Sequence, residues 1–227
     1  MTTGISLGRA GRAVLDLLLP VDCAGCGVRG SPCCPGCAAV WWGLEPVERG
    51  ATVDGTPMFA LTRYRGVARR LLLAQKERGR RDLGAPLGAA LARGLTNLPA
   101  EYRQGELRLV PAPSRASAAR QRGGSHVLAL ALHCAAVLRT QAVRARAVPA
   151  LRLAPGARDA VGLDAEQRTV NLRGRVRTRP RRLPEPGTRV ILLDDVITTG
   201  ATAAACVRAL GNAGIKVAAV LSLTVAG

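Results

Sequence analysis

Along most of this chain, short apolar runs alternate with longer stretches in which apolar residues return every three or four positions. The first pattern reads as buried strands, the second as helices with one face turned inward. Strands are expected at residues 58–64, 107–112, 148–153, 190–193 and 217–224. Helices are expected at 67–75, 83–95, 126–140 and 201–213, the last ended by Gly214. The basic turn KERGRRD separates the first two helices, and a basic loop at 114–124 leads into the third. Apolar strands that alternate with helices argue for an α/β fold, a parallel sheet covered on both faces. Residues 1–20 read as a short helix. Residues 21–40 are rich in Cys, Gly and Pro and read as too polar for a core element, and a linker is expected at 43–55. Residues 155–187 are Arg-rich without apolar periodicity and read as one long loop, a kind that usually carries function. There is no internal repeat.

Composition changes this picture in two ways. The 227 residues, 48% of them hydrophobic, suffice for one full domain and a small appendage. The expected boundary gives an N-terminal helix and knuckle at 1–48 and an α/β domain at 49–227. The formal charge is +18, which points to a polyanionic partner: nucleic acid, a membrane surface or a phosphorylated substrate. Part of the excess is attributable to codon usage, because Lys76 and Lys216 are the only lysines in a chain otherwise rich in Arg, Ala, Gly and Pro. Aromatic residues make up 2%, which disfavours binding through base stacking. The apolar run VLDLLLP is short and interrupted by Asp16, a poor signal peptide, and no stretch reads as a membrane span. A cytoplasmic location is expected.

Five of the seven cysteines fall within fifteen residues. Cys23–Ala–Gly–Cys26 and Cys34–Pro–Gly–Cys37 form two CxxC knuckles, a spacing that suits tetrahedral Zn²⁺ held by four thiolates in a closed, structural site. Cys33 shifts the register by one and can replace Cys34, although CxxC spacing favours Cys34. A redox CxxC would need a thioredoxin-like βαβ context, which is absent. Gly25–Cys–Gly27–Val–Arg–Gly30 matches GxGxxG formally, but no strand precedes it. Cys134 and Cys206 fall on expected helices and read as core thiols.

The most informative stretch is VILLDDVITTGAT at residues 190–202. An apolar strand ends in Asp194 and Asp195, and Val196, Ile197, Thr198, Thr199, Gly200, Ala201 and Thr202 then open a helix. A helix start presents unpaired N–H groups and a positive dipole end, which suits a phosphate. The threonines add hydroxyl donors, and Gly200 lets the backbone wrap an anion. Carboxylates just before such a loop can accept hydrogen bonds from a ribose diol or meet Mg²⁺. A P-loop is excluded, since no Gly-Lys-Ser/Thr is present. His126 and His133 read as surface or core residues, and the sequence offers no histidine oriented by a carboxylate.

These thirteen residues resemble the phosphoribosyl pyrophosphate motif of type I phosphoribosyltransferases. The resemblance implies that Asp194 and Asp195 bind the ribose hydroxyls and residues 196–202 the 5-phosphate. With the cysteine knuckle in front, the chain resembles the ComF family, which is associated with DNA uptake in natural competence. LDLLLPVDCAGCG resembles the family's leader into its first knuckle. Tyr64, Arg65 and Gly66 with Arg69, Arg70 and Lys76 resemble its YxG…K segment. Val110–Pro–Ala–Pro113 with Arg115, Arg122 and Gly123 resembles its pyrophosphate loop, and Gly162–Leu163 with Arg168 and Asn171 a further segment. The chain departs from the family at Gly124, Ser125 and His126, where a bulky residue, Asn and Gln are frequent, and at Ala160, where Gln is.

The resemblance implies a type I phosphoribosyltransferase-like sheet flanked by helices, with a small N-terminal four-Cys zinc segment. It implies binding of Mg²⁺–phosphoribosyl pyrophosphate and ribosyl transfer with release of pyrophosphate. Asp194 and Asp195 would act on the ribose, and Lys76 and Arg115 on the pyrophosphate. Set against it is a non-catalytic module that holds single-stranded DNA or a nucleotide beside a helicase-like partner. A zinc transcription regulator is disfavoured because the knuckle lacks a recognition helix.

Overall fold

The computed structural model describes residues 21–49, 55–114, 124–154 and 175–227. Its strands are β1 (Glu45–Pro46), β2 (Met58–Arg63), β3 (Leu107–Pro111), β4 (Ala145–Ala147), β5 (Leu151–Leu153), β6 (Val176–Thr178), β7 (Arg189–Ile197) and β8 (Val217–Val225). Its helices are α1 (Pro35–Ala38), α2 (Gly66–Glu77), α3 (Gly84–Asn97), α4 (Ala100–Arg103), α5 (His126–Thr140) and α6 (Ala201–Gly211). The expected helix at 1–20 lies outside the described residues, as do Arg115, Arg122, Gly123, Ala160, Gly162, Leu163, Arg168 and Asn171.

One six-stranded sheet runs in the order β1-β2-β8-β7-β3-β4. Strands β2, β8, β7, β3 and β4 are parallel, and β1 joins the edge antiparallel to β2. Strand β7 shows why both faces are covered. Successive side chains point to opposite sides of a strand, and here both sides are apolar. Ile191 and Leu193 sit in a core with Leu71 of α2, Leu87 of α3 and Leu130 of α5. Val190 and Leu192 sit in a second core with Ala203 and Leu210 of α6. The chain is therefore α/β, with a mostly parallel sheet between helical layers. Among the described residues no helix is long and apolar enough to cross a membrane.

The order of strands places a switch point between β3 and β7. From β3 the chain leaves through α5 to β4 on one side, and from β7 through α6 to β8 on the other. Crevices outside the carboxyl ends of such strands are where open α/β sheets bind ligands.

Several expectations need correction. The strand expected at 190–193 runs through the aspartates to Ile197, because Val196 and Ile197 still pair with Thr224 and Val225 of β8. Of the strand expected at 148–153 only Leu151–Leu153 is one, and a separate short strand, β4, precedes it at Ala145–Ala147. The break falls where Ala150 N–H turns back to Val148 O at 2.8 Å, with Pro149 between them. Of the segment read as one loop at 155–187, residues 176–178 form β6, paired antiparallel with β5, and Val176 is buried. The linker expected at 43–55 contributes β1.

Residues 21–40 are also not excluded from the core. Cys23, Cys33 and Cys37 are buried in one cluster with Leu61 of β2 and Ala68 of α2. Arg70 Nε donates to Gly25 O at 2.6 Å, and Arg80 Nη2 donates to Asp22 O at 2.9 Å, so both ends of the α2 region grip the knuckle. The polar composition misleads because cysteine packs as a small hydrophobe.

Candidate functional site

The period of the strand decides what the two aspartates can do. Asp195 follows Leu193 in phase and turns to the α2/α5 side, where Lys76 Nζ lies 3.1 Å and His126 Nε2 2.9 Å from its Oδ2. Asp194 follows Leu192 to the opposite side, where its charge raises the Cys206 thiol of α6, already pushed up by burial. Both aspartates are buried. The two carboxyls nevertheless stay close enough to interact with each other at the strand end, where residues 198–202 begin.

The surroundings drive the two carboxyls apart. Burial and the Asp195 charge hold Asp194 well above the usual carboxylate range. Burial also acts upward on Asp195, but the His126 hydrogen bond and the Lys76 charge outweigh it and hold Asp195 well below that range. Asp195 is further fixed through Oδ1, which accepts Val196 N–H at 2.9 Å, while Asp194 Oδ1 accepts Asp195 N–H at 2.9 Å. Thr224 Oγ1 donates to Asp195 O at 3.2 Å and ties the strand end to β8.

The loop after β7 leads into α6 through Gly200, whose φ of +79° lies in the left-handed region that glycine adopts at no steric cost. Thr199 Oγ1 accepts Ala201 N–H at 3.3 Å, and Thr198 is exposed. Arg49, which the sequence reading did not single out, donates from Nε to Thr198 O at 2.8 Å and from Nη2 to Ala226 O.

His126 is the clearest correction. Read from sequence as a surface or core residue, it is instead bonded to Asp195. Ser125 places it there: its Oγ accepts Leu128 N–H at 3.4 Å, and that cap starts α5 with His126 as the first helical residue. No local pattern around residue 126 encodes a partner 69 positions away. Lys76 reaches the same carboxylate, so two residues from distant elements converge on Asp195. Arg115 lies outside the described residues.

The four cysteines converge as their spacing implies. The Sγ atoms of Cys23, Cys26, Cys34 and Cys37 all lie within 4.8 Å of one another, and Cys26 and Cys34 Sγ are 3.6 Å apart. Sulfurs at the corners of a tetrahedron about 2.3 Å from a zinc ion stand about 3.8 Å apart, so the donor set fits a metal with little adjustment. Burial raises the Cys23 thiol, but N–H donors of Cys34, Cys26 and Gly25 outweigh it and bring it down to about 6, toward the thiolate a metal needs. Cys33 is outside the group and is pushed up to about 11, chiefly by burial. The structure thus selects Cys34 over Cys33. Gly25 is required on steric grounds, since a Cβ there would stand 2.7 Å from Cys37 Sγ. Cys134 and Cys206 are buried on α5 and α6, as expected of core thiols.

Neither a protein-family model nor a curated protein sequence matches this chain.

Proposed function

We propose that this chain is a ComF-like protein with a type I phosphoribosyltransferase-like domain, and that it binds Mg²⁺–phosphoribosyl pyrophosphate at the carboxyl end of β7. One observation carries the reading. A buried strand bearing two aspartates hands over, at the sheet's switch point, to a glycine-initiated helix whose approach is lined by Thr198 and Thr199. A 5-phosphate would rest on the N–H groups at the start of α6 and on the threonine hydroxyls, where the helix dipole favours negative charge. The ribose hydroxyls would lie across the strand end, against Asp194 and Asp195. Lys76, with Arg115, would take the pyrophosphate charge.

In a transfer reaction the bond from ribose C1 to the pyrophosphate oxygen breaks, a bond from C1 to the acceptor forms, and pyrophosphate leaves with the electron pair. The chain's part is to position the sugar and to neutralise the leaving phosphates. The four-Cys knuckle would hold structural Zn²⁺ and brace α2, which carries Lys76.

Titration calorimetry with phosphoribosyl pyrophosphate and Mg²⁺ tests the binding. Saturable binding by the wild-type chain is expected, with a loss of about tenfold or more in Asp195→Asn, as for a hydrogen bond to a charged group. No heat from the wild-type chain, or pyrophosphate release undiminished in a variant lacking both carboxylates, would remove the reading.

A second reading, a module that holds single-stranded DNA without turnover, rests on the exposed arginines at 63, 65, 69 and 78 on and beside α2. It requires an affinity that falls steeply with salt as counterions are released.

A further inference from the structure

We infer that His126 is the positioning residue that keeps the Asp195 carboxylate in place when a phosphorylated ligand draws Lys76 away from it. The inference rests on the proposed ribose-phosphate site and deepens it. Two cations or donors share one oxygen, and they differ in how they are held. The Lys76 side chain is 36% exposed, sits at the end of a flexible stem and is 3.1 Å from Asp195 Oδ2. The His126 side chain is 9% exposed, lies 2.9 Å from the same oxygen and is anchored at the first position of α5 by the Ser125 cap. An ammonium at the rim exchanges readily between a carboxylate and incoming phosphates. An imidazole packed beneath it does not.

The hydrogen-bonding chemistry of the ring supports this division. An ionised carboxylate has no proton to give, so His126 Nε2 must carry the hydrogen between them. Nδ1 is buried and has no hydrogen-bond partner among the described residues. A buried ring nitrogen without a partner costs stability, and an apolar side chain of similar size would avoid that cost. Among the described residues the ring's compensating contact is therefore the one to Asp195. Local rules broken without a packing reason mark functional positions. Oδ1 of Asp195 is turned to its own chain by Val196 N–H, so without His126 the departure of Lys76 would leave Oδ2 with no donor from the described side chains.

The test compares affinity for phosphoribosyl pyrophosphate with Mg²⁺ in the wild-type chain, His126→Leu and His126→Gln, each checked for folding by circular dichroism and melting temperature. The amide of Gln can donate to Asp195 as Nε2 does, whereas Leu cannot. The expected result is a loss of about tenfold or more in His126→Leu, the value of a hydrogen bond to a charged group, with affinity restored to within about threefold in His126→Gln. Equal binding by the Leu variant, or equal loss in both variants, overturns the role of His126 and leaves the site itself standing. Absence of binding by the wild-type chain overturns both. A second measurement needs no variant: the nitrogen-15 spectrum of the His126 ring in the wild-type chain. It should show Nε2 protonated and hydrogen-bonded before and after saturation with the ligand. Loss of that bond on saturation would refute the inference.

Discussion

Asp194 and Asp195 are chemically identical and adjacent, yet the strand sends them to opposite sides of the sheet and gives them opposite environments. Asp194 has Asp195 beside it and a buried thiol, Cys206, on its own side. Its carboxyl is raised, so the folded state favours its protonated form. That preference stabilises the fold fully below the unfolded carboxylate range, near pH 4, and is lost as pH rises through the raised value. At pH 7 the group is a burden, and Asp194→Asn keeps the oxygen that accepts Asp195 N–H while removing the buried charge. The melting temperature at pH 7 should rise by about 2–4 °C, the shift for about 1 kcal/mol in a chain of this size, and the gain should shrink toward pH 4. Asp195 is the reverse case. Its stabilisation is present above the unfolded range and lost as pH falls through the depressed value. A thermal scan in which Asp194→Asn melts lower than wild type at pH 7 would show that its charge is matched in the fold. The aspartate pair itself was legible from sequence. Their division of labour was not, because it depends on what α2, α5 and α6 bring to each side.

At the scale of elements, the match between pattern and structure is closest where both faces of an element meet a core. Helix α5 has the bounds expected from its apolar spacing, and β2, β3 and β8 agree to within a residue. The pattern gives out where tertiary contacts extend or divide an element. Strand β7 outlasts its apolar run because β8 continues to pair with it, and β6 exists because β5 lies beside it. Glycines in α3 show the same limit. By propensity Gly84, Gly88 and Gly94 weaken a helix, but a Cβ at Gly88 would press into His133 Cβ and stand 3.0 Å from Cys134 N, both on α5. The small residue sets how closely α3 and α5 approach. Gly88→Ala, favourable in an isolated helix, should therefore destabilise this one by about 1–3 kcal/mol through overpacking. Denaturant unfolding measures it, and a stabilised variant would mean that the two helices can separate at little cost.

For the whole molecule, the knuckle and the sheet are mechanically joined. Gly25, between two ligand positions, receives the Arg70 hydrogen bond, and Val67 and Ala68 of α2 pack against the same cluster. Metal bound by Cys23, Cys26, Cys34 and Cys37 should therefore support α2 as well as the knuckle. Metal analysis of freshly reduced protein should find about one zinc per chain. Cys34→Ser should lose it and melt lower by about 5 °C or more, given about 2–4 °C per kcal/mol, while Cys33→Ser should retain it. Zinc retained by the Cys34 variant and lost from the Cys33 variant would reverse the assignment. By itself the sequence determined the alternation of strands and helices, the four metal-spaced thiols and the paired aspartates before a glycine–threonine turn. All of these are local, since periodicity, spacing and turn chemistry act within a few residues. Only the tertiary structure decided that the aspartates face opposite layers, that Lys76 and His126 meet on one oxygen, and that a cysteine-rich segment packs into the main core. Those outcomes join positions up to 119 residues apart, and what fixes them is the order of strands in the sheet.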